Sequence, residues 1–321
     1  MKFKTRRKLL ENRRVSAVRR RLKNTRIRGG SVTLYEVLYV FFKKIKDDDI
    51  IERANAVAYS FTIALFPAIL FLFALVPLIH EVIPEIDERS IMGFVSQWMP
   101  ENMFSVVEST ILDIVGKSRG GLLTFGALLA LFLASNGMVS LMNAFNSIYQ
   151  TKENRSFFRQ RMIAFGLIFM LTGVMMLSII LLVVGQVVLG LISDMIINID
   201  ELPININQVL ILRFIVLFFV FFIAISSIYY FAPAVHFKWK FFSLGSIVAT
   251  FASLSISYIF SNYVSNFGTY NKLYGSIGVM LAIMIWLFLF SVVLLIGYVI
   301  NASIHQVQHK HRIKSLQAEK Q

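Results

Sequence analysis

Residues 52–79 read ERANAVAYSFTIALFPAILFLFALVPLI, and the stretch divides at Pro67. Beyond Pro67 it is almost pure hydrocarbon; before it stand Asn55, Tyr59, Ser60 and Thr62. A helix crosses a bilayer with roughly 20 apolar residues, so the stretch predicts a membrane span. A plain anchor has no use for the polar half. Helical spacing puts Asn55, Tyr59, Thr62 and Phe66 on one face. Pro67 has no N–H, so the Ile63 carbonyl loses its helical donor in mid-membrane and needs another partner.

The rest of the 321-residue chain fits the same solvent. It is 57% hydrophobic and only 16% charged, where a soluble domain carries about a quarter charged residues. Five more segments meet the length requirement, near 121–147, 162–192, 208–232, 241–264 and 275–300. The fold class expected is therefore all-α, a polytopic membrane bundle of six transmembrane helices plus interfacial amphipathic helices. SVTLYEVLYVFF, residues 31–42, is too short to span and reads as an amphipathic helix in the interface. Asp49 and Glu52 have the spacing of a capping box opening the first span. Two further amphipathic stretches within about 80–120 read as a cap on the outer face. The expected layout is a basic tail over 1–30, a membrane domain over 31–305 and a second tail over 306–321.

Charge sets the orientation. One set of loops, with both termini, holds 27 of the 32 Lys and Arg but 8 of the 18 Asp and Glu. The excess of basic residues on one side predicts that both termini are cytoplasmic. The N-terminal RRK and RRR clusters would then lie against anionic lipid headgroups. They lack the interleaved aromatics with which single-strand binders stack bases, so nucleic acid is not an expected partner. Arg213 alone falls inside a predicted span, close enough to its outer end to snorkel.

Polar stripes recur on other spans. Asn136, Ser140, Asn143 and Ser147 follow helical spacing on the second, and Ser226, Ser227, Tyr229 and Tyr230 stand on the fourth, ahead of Pro233. Together with Asn55, Tyr59, Thr62 and Pro67 they predict a polar cavity opening to the cytoplasm. The same stripes also suit plain interhelical hydrogen bonding, worth about 0.6 kcal/mol per pair. Toward the outer side, Ser255, Tyr258 and Asn262 lead into NFGTYNKLYGSIG at 266–278, with Tyr270, Tyr274 and Gly275. That segment reads either as an outer gate or as a tight turn into the last span. Gly275, Gly278 and Ala282 form a small-residue face for close helix contact.

Several chemistries are excluded. Cysteine is absent, which removes disulfides and thiolate sites. No Asp, Glu, Lys or His falls in the middle of a predicted span, which argues against a proton pump. His305 and His309 share a helical face but have no evident third ligand, so no metal and no cofactor is expected.

Three stretches carry a resemblance to the YihY/virulence factor BrkB family of inner-membrane proteins, once mislabelled as ribonuclease BN. Arg53, Ala54, Ala56, Ala58, Tyr59, Leu65 and Pro67 match its first-span signature. Tyr230, Pro233, Trp239 and Gly245 resemble its Y-x-x-P followed by Trp and Gly. Tyr270, Tyr274, Gly275, Trp286, Gly297 and Asn301 are similar to its last helix. The family has a Ser where Ala64 stands, and its G-A-E is replaced by Gly297-Tyr298-Val299, so no role of that Glu carries over. The resemblance implies a six-helix protein of the inner (plasma) membrane with both ends cytoplasmic, and transport of lipid or envelope material. A metal-dependent nuclease would need clustered His and Asp ligands. His80, His236, His305, His309 and His311 are scattered, so the expected protein is not an enzyme. A transporter or flippase-like conduit is the leading reading, and a non-transporting membrane scaffold in envelope maintenance the alternative.

Overall fold

The computed structural model describes residues 20–21, 24–27, 32–82, 120–174, 206–235, 240–265 and 268–318. The expected outer cap between 83 and 119 and nearly all of the basic tail lie outside these residues, as does the third span beyond 174. Among the described residues the regular structure is helical apart from one two-residue antiparallel pair, β1 (Arg26–Ile27) with β2 (Val32–Thr33). Seven helices follow in chain order. They are α1 (Leu34–Asp47), α2 (Ile50–Val82), α3 (Gly120–Tyr149), α4 (Phe157–Val174), α5 (Ile206–Phe231), α6 (Leu244–Ser265) and α7 (Gly268–Ala318).

Among the described residues, five stretches are long and apolar enough to cross a membrane: Leu128–Tyr149, Phe157–Val174, Phe214–Phe231, Leu244–Tyr263 and Met280–Ala318. Their outer faces expose Leu128, Phe158, Phe219, Phe251 and Ile285. Such a surface is stable only against lipid or another apolar face.

Several ends of these helices have a local cause. The capping box belongs to α1: the Thr33 hydroxyl accepts from the Glu36 N–H, and the Glu36 carboxylate accepts from the Thr33 N–H and hydroxyl. The Asp49–Glu52 spacing is not used in that way. Asp49 sits at φ 46°, in the left-handed region rather than the extended N-cap geometry, because the chain turns there from α1 into α2. α3 ends in a Schellman motif: Gln150, at φ 58°, donates to the Ser147 carbonyl and Thr151 donates to that of Asn146. α4 starts at Phe157 rather than at 162, since the Ser156 hydroxyl accepts the Arg159 N–H. α6 is opened by Ser243 and Ser246, whose hydroxyls accept each other's backbone N–H at 3.1 Å.

The last span departs most from expectation. Helix begins at Gly268, so the tight turn expected over 266–278 is mostly helical, and it continues to Ala318 across the boundary expected at 305. Close helix approach occurs between α6 and α7 at Gly245 and Gly297. A Cβ at Gly245 would meet the Gly297 carbonyl and the Asn301 side chain, while one at Gly297 would fall 2.7 Å from the Ala249 Cβ. Gly is therefore required at both positions for these backbones to touch.

α7 is the hub of the bundle. It packs on α1, α2, α3 and α6, and α6 in turn packs on α5. The core runs from Ala54 and Val57 on α2 through Leu141 and Met142 on α3 to Leu294 and Leu295 on α7. At its centre Phe145 stacks on Tyr298, with ring centroids 4.2 Å apart, and Tyr229 meets both rings edge-on. The Tyr229 hydroxyl donates to the Leu294 carbonyl at 2.7 Å, so its one polar atom is satisfied inside the core.

Candidate functional site

Three helices bring polar side chains to one lateral strip. α3 supplies its middle. The Ser140 hydroxyl reaches the Ala56 carbonyl of α2 at 3.5 Å, while Asn143 accepts from Gln160 of α4 at 2.9 Å. One turn along, the Asn136 side-chain amide oxygen accepts from the Arg161 guanidinium at 2.7 Å. Arg161 also donates to the Ser135 hydroxyl and lies over the Phe132 ring, 4.3 Å from its centroid. Asn55 and Tyr59 flank the strip on α2 and face outward, Tyr59 being 64% exposed. Asn143 is exposed as well, and Asn136 and Ser140 are half-buried.

Thr62 leaves the strip despite sharing its helical face. It is buried, and its hydroxyl bonds back to the Ala58 carbonyl at 2.8 Å. The cause is the crossing of α2 and α3 at Gly137, where a Cβ would lie 2.6 Å from the Phe61 ring, so the helices close over this end. Pro67 is half-buried within an α2 that continues past it as one helix to Val82. Ser226, Ser227 and Tyr229 are buried in the core and add nothing to the strip. Tyr230 packs edge-on against Phe231 and Phe241, and Pro233 follows the end of α5. Pro233 stands between Ala232 and Ala234, whose backbone groups enter a second polar cluster.

That second cluster joins helix ends. Asn146 of α3, 4% exposed, donates to Glu153 at 2.7 Å and accepts from the Ala234 N–H at 2.7 Å. Arg155 grips the same Glu153 carboxylate through Nε and a terminal nitrogen, both at 2.6 Å, and donates to the Ala232 carbonyl at the end of α5. Burial alone would raise the Glu153 carboxyl. The Arg155 side-chain and backbone donors, its positive charge and the Asn146 amide outweigh that and hold it below the ordinary carboxylate value. Buried Lys44 of α1 donates to the Ile148 carbonyl at 2.7 Å, a cation on one of the orphan carbonyls that end α3. Asn301 of α7 spans to the start of α6, accepting from the Gly245 N–H and donating to the Ser243 hydroxyl.

The histidines of the last helix are engaged in packing. His305 shares a hydrogen bond with the Tyr149 hydroxyl, and His309 stacks beside it. His311 Nε2 lies 3.2 Å from both carboxylate oxygens of Glu36. Toward the other end of the bundle, Tyr258 is exposed, and Asn262 donates back to its carbonyl within α6 at 2.9 Å. Tyr270, Tyr274 and Gly275 fall in the first turns of α7, and their side-chain surroundings lie outside the described residues.

Arg161, Gln160 and Asn146 were not among the residues singled out from the sequence. The first two counted as loop because the third span was started too late; Ser156 ahead of FFRQR was the legible N-cap signal. Asn146 carried no signal of its own, since only the turn after α3 brings Glu153 and Arg155 to it.

Apolar spans around a packed core, with polar groups along one flank and at the helix ends, define a multi-pass helical membrane protein. Comparison with known proteins narrows this. Residues 41–321 match the model of the family described as Virulence factor BrkB, and the chain belongs to that family. It is also similar to the putative ribonuclease-like protein YfkH of Bacillus subtilis (strain 168), with 31% identity over 254 residues, 79% of this chain and 90% of that protein. No solved structure matches.

Proposed function

We propose that this protein is a flippase-like conduit of the inner membrane, carrying lipid, envelope material or a small polar substrate past the hydrocarbon. Six spans cross the membrane in this reading. The sixth is α2, whose 33 residues at 1.5 Å each exceed the roughly 30 Å hydrocarbon layer. Both termini are cytoplasmic, by the concentration of 27 of 32 basic residues in one set of loops and ends. The basic tail then lies against anionic headgroups of that leaflet.

One observation carries the reading: Asn55, Tyr59 and Asn143 are exposed on a flank where neighbouring helices present hydrocarbon. Polar side chains facing acyl chains are costly, so they call for a polar occupant. An amphiphile fits an open strip well, because its headgroup can follow Asn143, Asn136 and Arg161 while its tails stay in lipid. Asn55→Leu, Asn136→Leu and Asn143→Leu together should abolish flux of a fluorescent phospholipid in liposomes. Undiminished flux in folded triple variant would overturn the pathway.

A scaffold that only anchors is the second reading, favoured by the pairing of Asn136 with Arg161 and of Asn143 with Gln160. Cysteines placed at Asn55 and Asn143 separate the two, since a conduit lets a cytoplasmic reagent label them and a dry scaffold does not. Neither reading includes catalysis. "Ribonuclease-like" is part of the relative's name, while in this chain the Tyr149 hydroxyl and the Glu36 carboxylate engage His305 and His311.

A further inference from the structure

The sequence KKIK, residues 43–46, places three lysines within four residues, and α1 divides them. Lys44 points inward to the Ile148 carbonyl and is 8% exposed. Lys43 and Lys46, one turn apart, point outward. They line a single cavity of about 570 Å³ together with Tyr35, Tyr39 and Phe42. These five positions share one helical face, and Tyr39 and Phe42 are each 64% exposed on it.

The opposite face is already taken. Val37 packs with Ile304 and Val307 of α7, and the Thr33–Glu36 box meets His311 of the same helix. α1 is thus fixed in rotation, with aromatic rings and two ammonium groups held outward. Only Asp48 and Asp49 separate it from α2, so, resting on the reading of α2 as a span, this face lies where the chain enters the bilayer. Rings left in water there would forfeit about 25 cal/mol per Å² of apolar area. A soluble anion would cover the lysines and leave the rings wet.

We propose that this face is a binding site for one anionic phospholipid. Lys43 and Lys46 take the phosphodiester, and Tyr39, Phe42 and Leu38 take the glycerol and the first acyl carbons. Asp47 stands at the same cavity and leaves its lining with one net positive charge, which matches the single negative charge of the diester. The site is separate from the lateral strip, and its failure would leave the conduit reading standing.

The test uses the full chain in detergent, with Tyr39→p-benzoylphenylalanine as a photocrosslinker, so that lipid gathered by the basic tail is not read. Titrated with phosphatidylglycerol, position 39 should crosslink to it saturably, and phosphatidylcholine should crosslink weakly. Lys43→Gln with Lys46→Gln should raise the half-saturating phosphatidylglycerol concentration about thirtyfold, from about 1 kcal/mol for each lysine. Phe42→Ala is a second variant and should weaken long-chain lipid while leaving the soluble glycerophosphoglycerol headgroup unaffected. Equal crosslinking of phosphatidylcholine, or an unchanged midpoint in the double lysine variant, overturns the site. Displacement of the lipid by millimolar inorganic phosphate overturns it too, since that marks a site for free anions.

Discussion

Asn143, on the lateral strip, and Asn146, in the cluster that ties helix ends together, lie three residues apart on α3 and serve opposite needs. Asn146 is buried, and its amide is used on both sides by Glu153 and the Ala234 N–H. Asn143 is exposed and holds only Gln160, itself a mobile type of side chain at the strip's edge. One asparagine closes the bundle, and the other leaves hydrogen-bonding capacity facing outward. The difference shows that a polar residue in an apolar helix has no fixed meaning. Its surroundings decide whether it is cement or contact surface.

The largest effect that would test this contrast is on the buried side. Asn146→Leu leaves the Ala234 N–H unpaired and takes a donor from the Glu153 carboxylate, and should cost on the order of 3 kcal/mol. Denaturant titration followed by circular dichroism in detergent reads this directly. A loss below about 0.5 kcal/mol would erase the distinction between the two clusters.

A smaller effect should appear with pH. The folded Glu153 carboxyl lies below its ordinary value, so its contribution is complete above the unfolded carboxylate value near 4.3 and is lost as pH falls through the lowered folded value. Glu153→Gln should flatten this acid limb of the stability profile and lower stability at neutral pH. Thermal midpoints measured between pH 7 and pH 3 check the sign. A variant whose midpoint falls as steeply as that of the unaltered protein would place the acid sensitivity elsewhere.

The smallest effect belongs to the strip. Asn143→Leu removes one partly solvated pair with Gln160 and should shift stability by no more than about 0.5 kcal/mol. Paired with the Asn146 variant in the same titration, it gives the contrast as a ratio. If the two variants lose equal stability, the strip is cement as well, and the scaffold reading gains.

Much of the architecture was legible early. Long apolar runs forecast five helices that qualify as spans, and the short aromatic stretch before KKIK forecast the amphipathic α1. Errors gathered at helix ends. Ser156 moved the start of α4 ahead of Arg159 and Arg161, and α7 absorbed a segment rich in Gly, Tyr and Asn that resembles a turn. The lateral strip was half legible: Asn55, Tyr59, Asn136, Ser140 and Asn143 were found by spacing, but Thr62 turned inward, Tyr230 packs on aromatic rings and Pro233 lies beyond the end of α5.

Composition and periodicity alone determined that this chain lives in lipid as a helical, multi-pass protein, because the length and greasiness of a span answer to the bilayer and to no other part of the chain. Which asparagine is sealed, which lysine of KKIK is spent on the Ile148 carbonyl and which glycines let α6 touch α7 were decided only by the assembled bundle. Those outcomes depend on what stands across from each side chain, and a helical repeat fixes its direction without naming its neighbour.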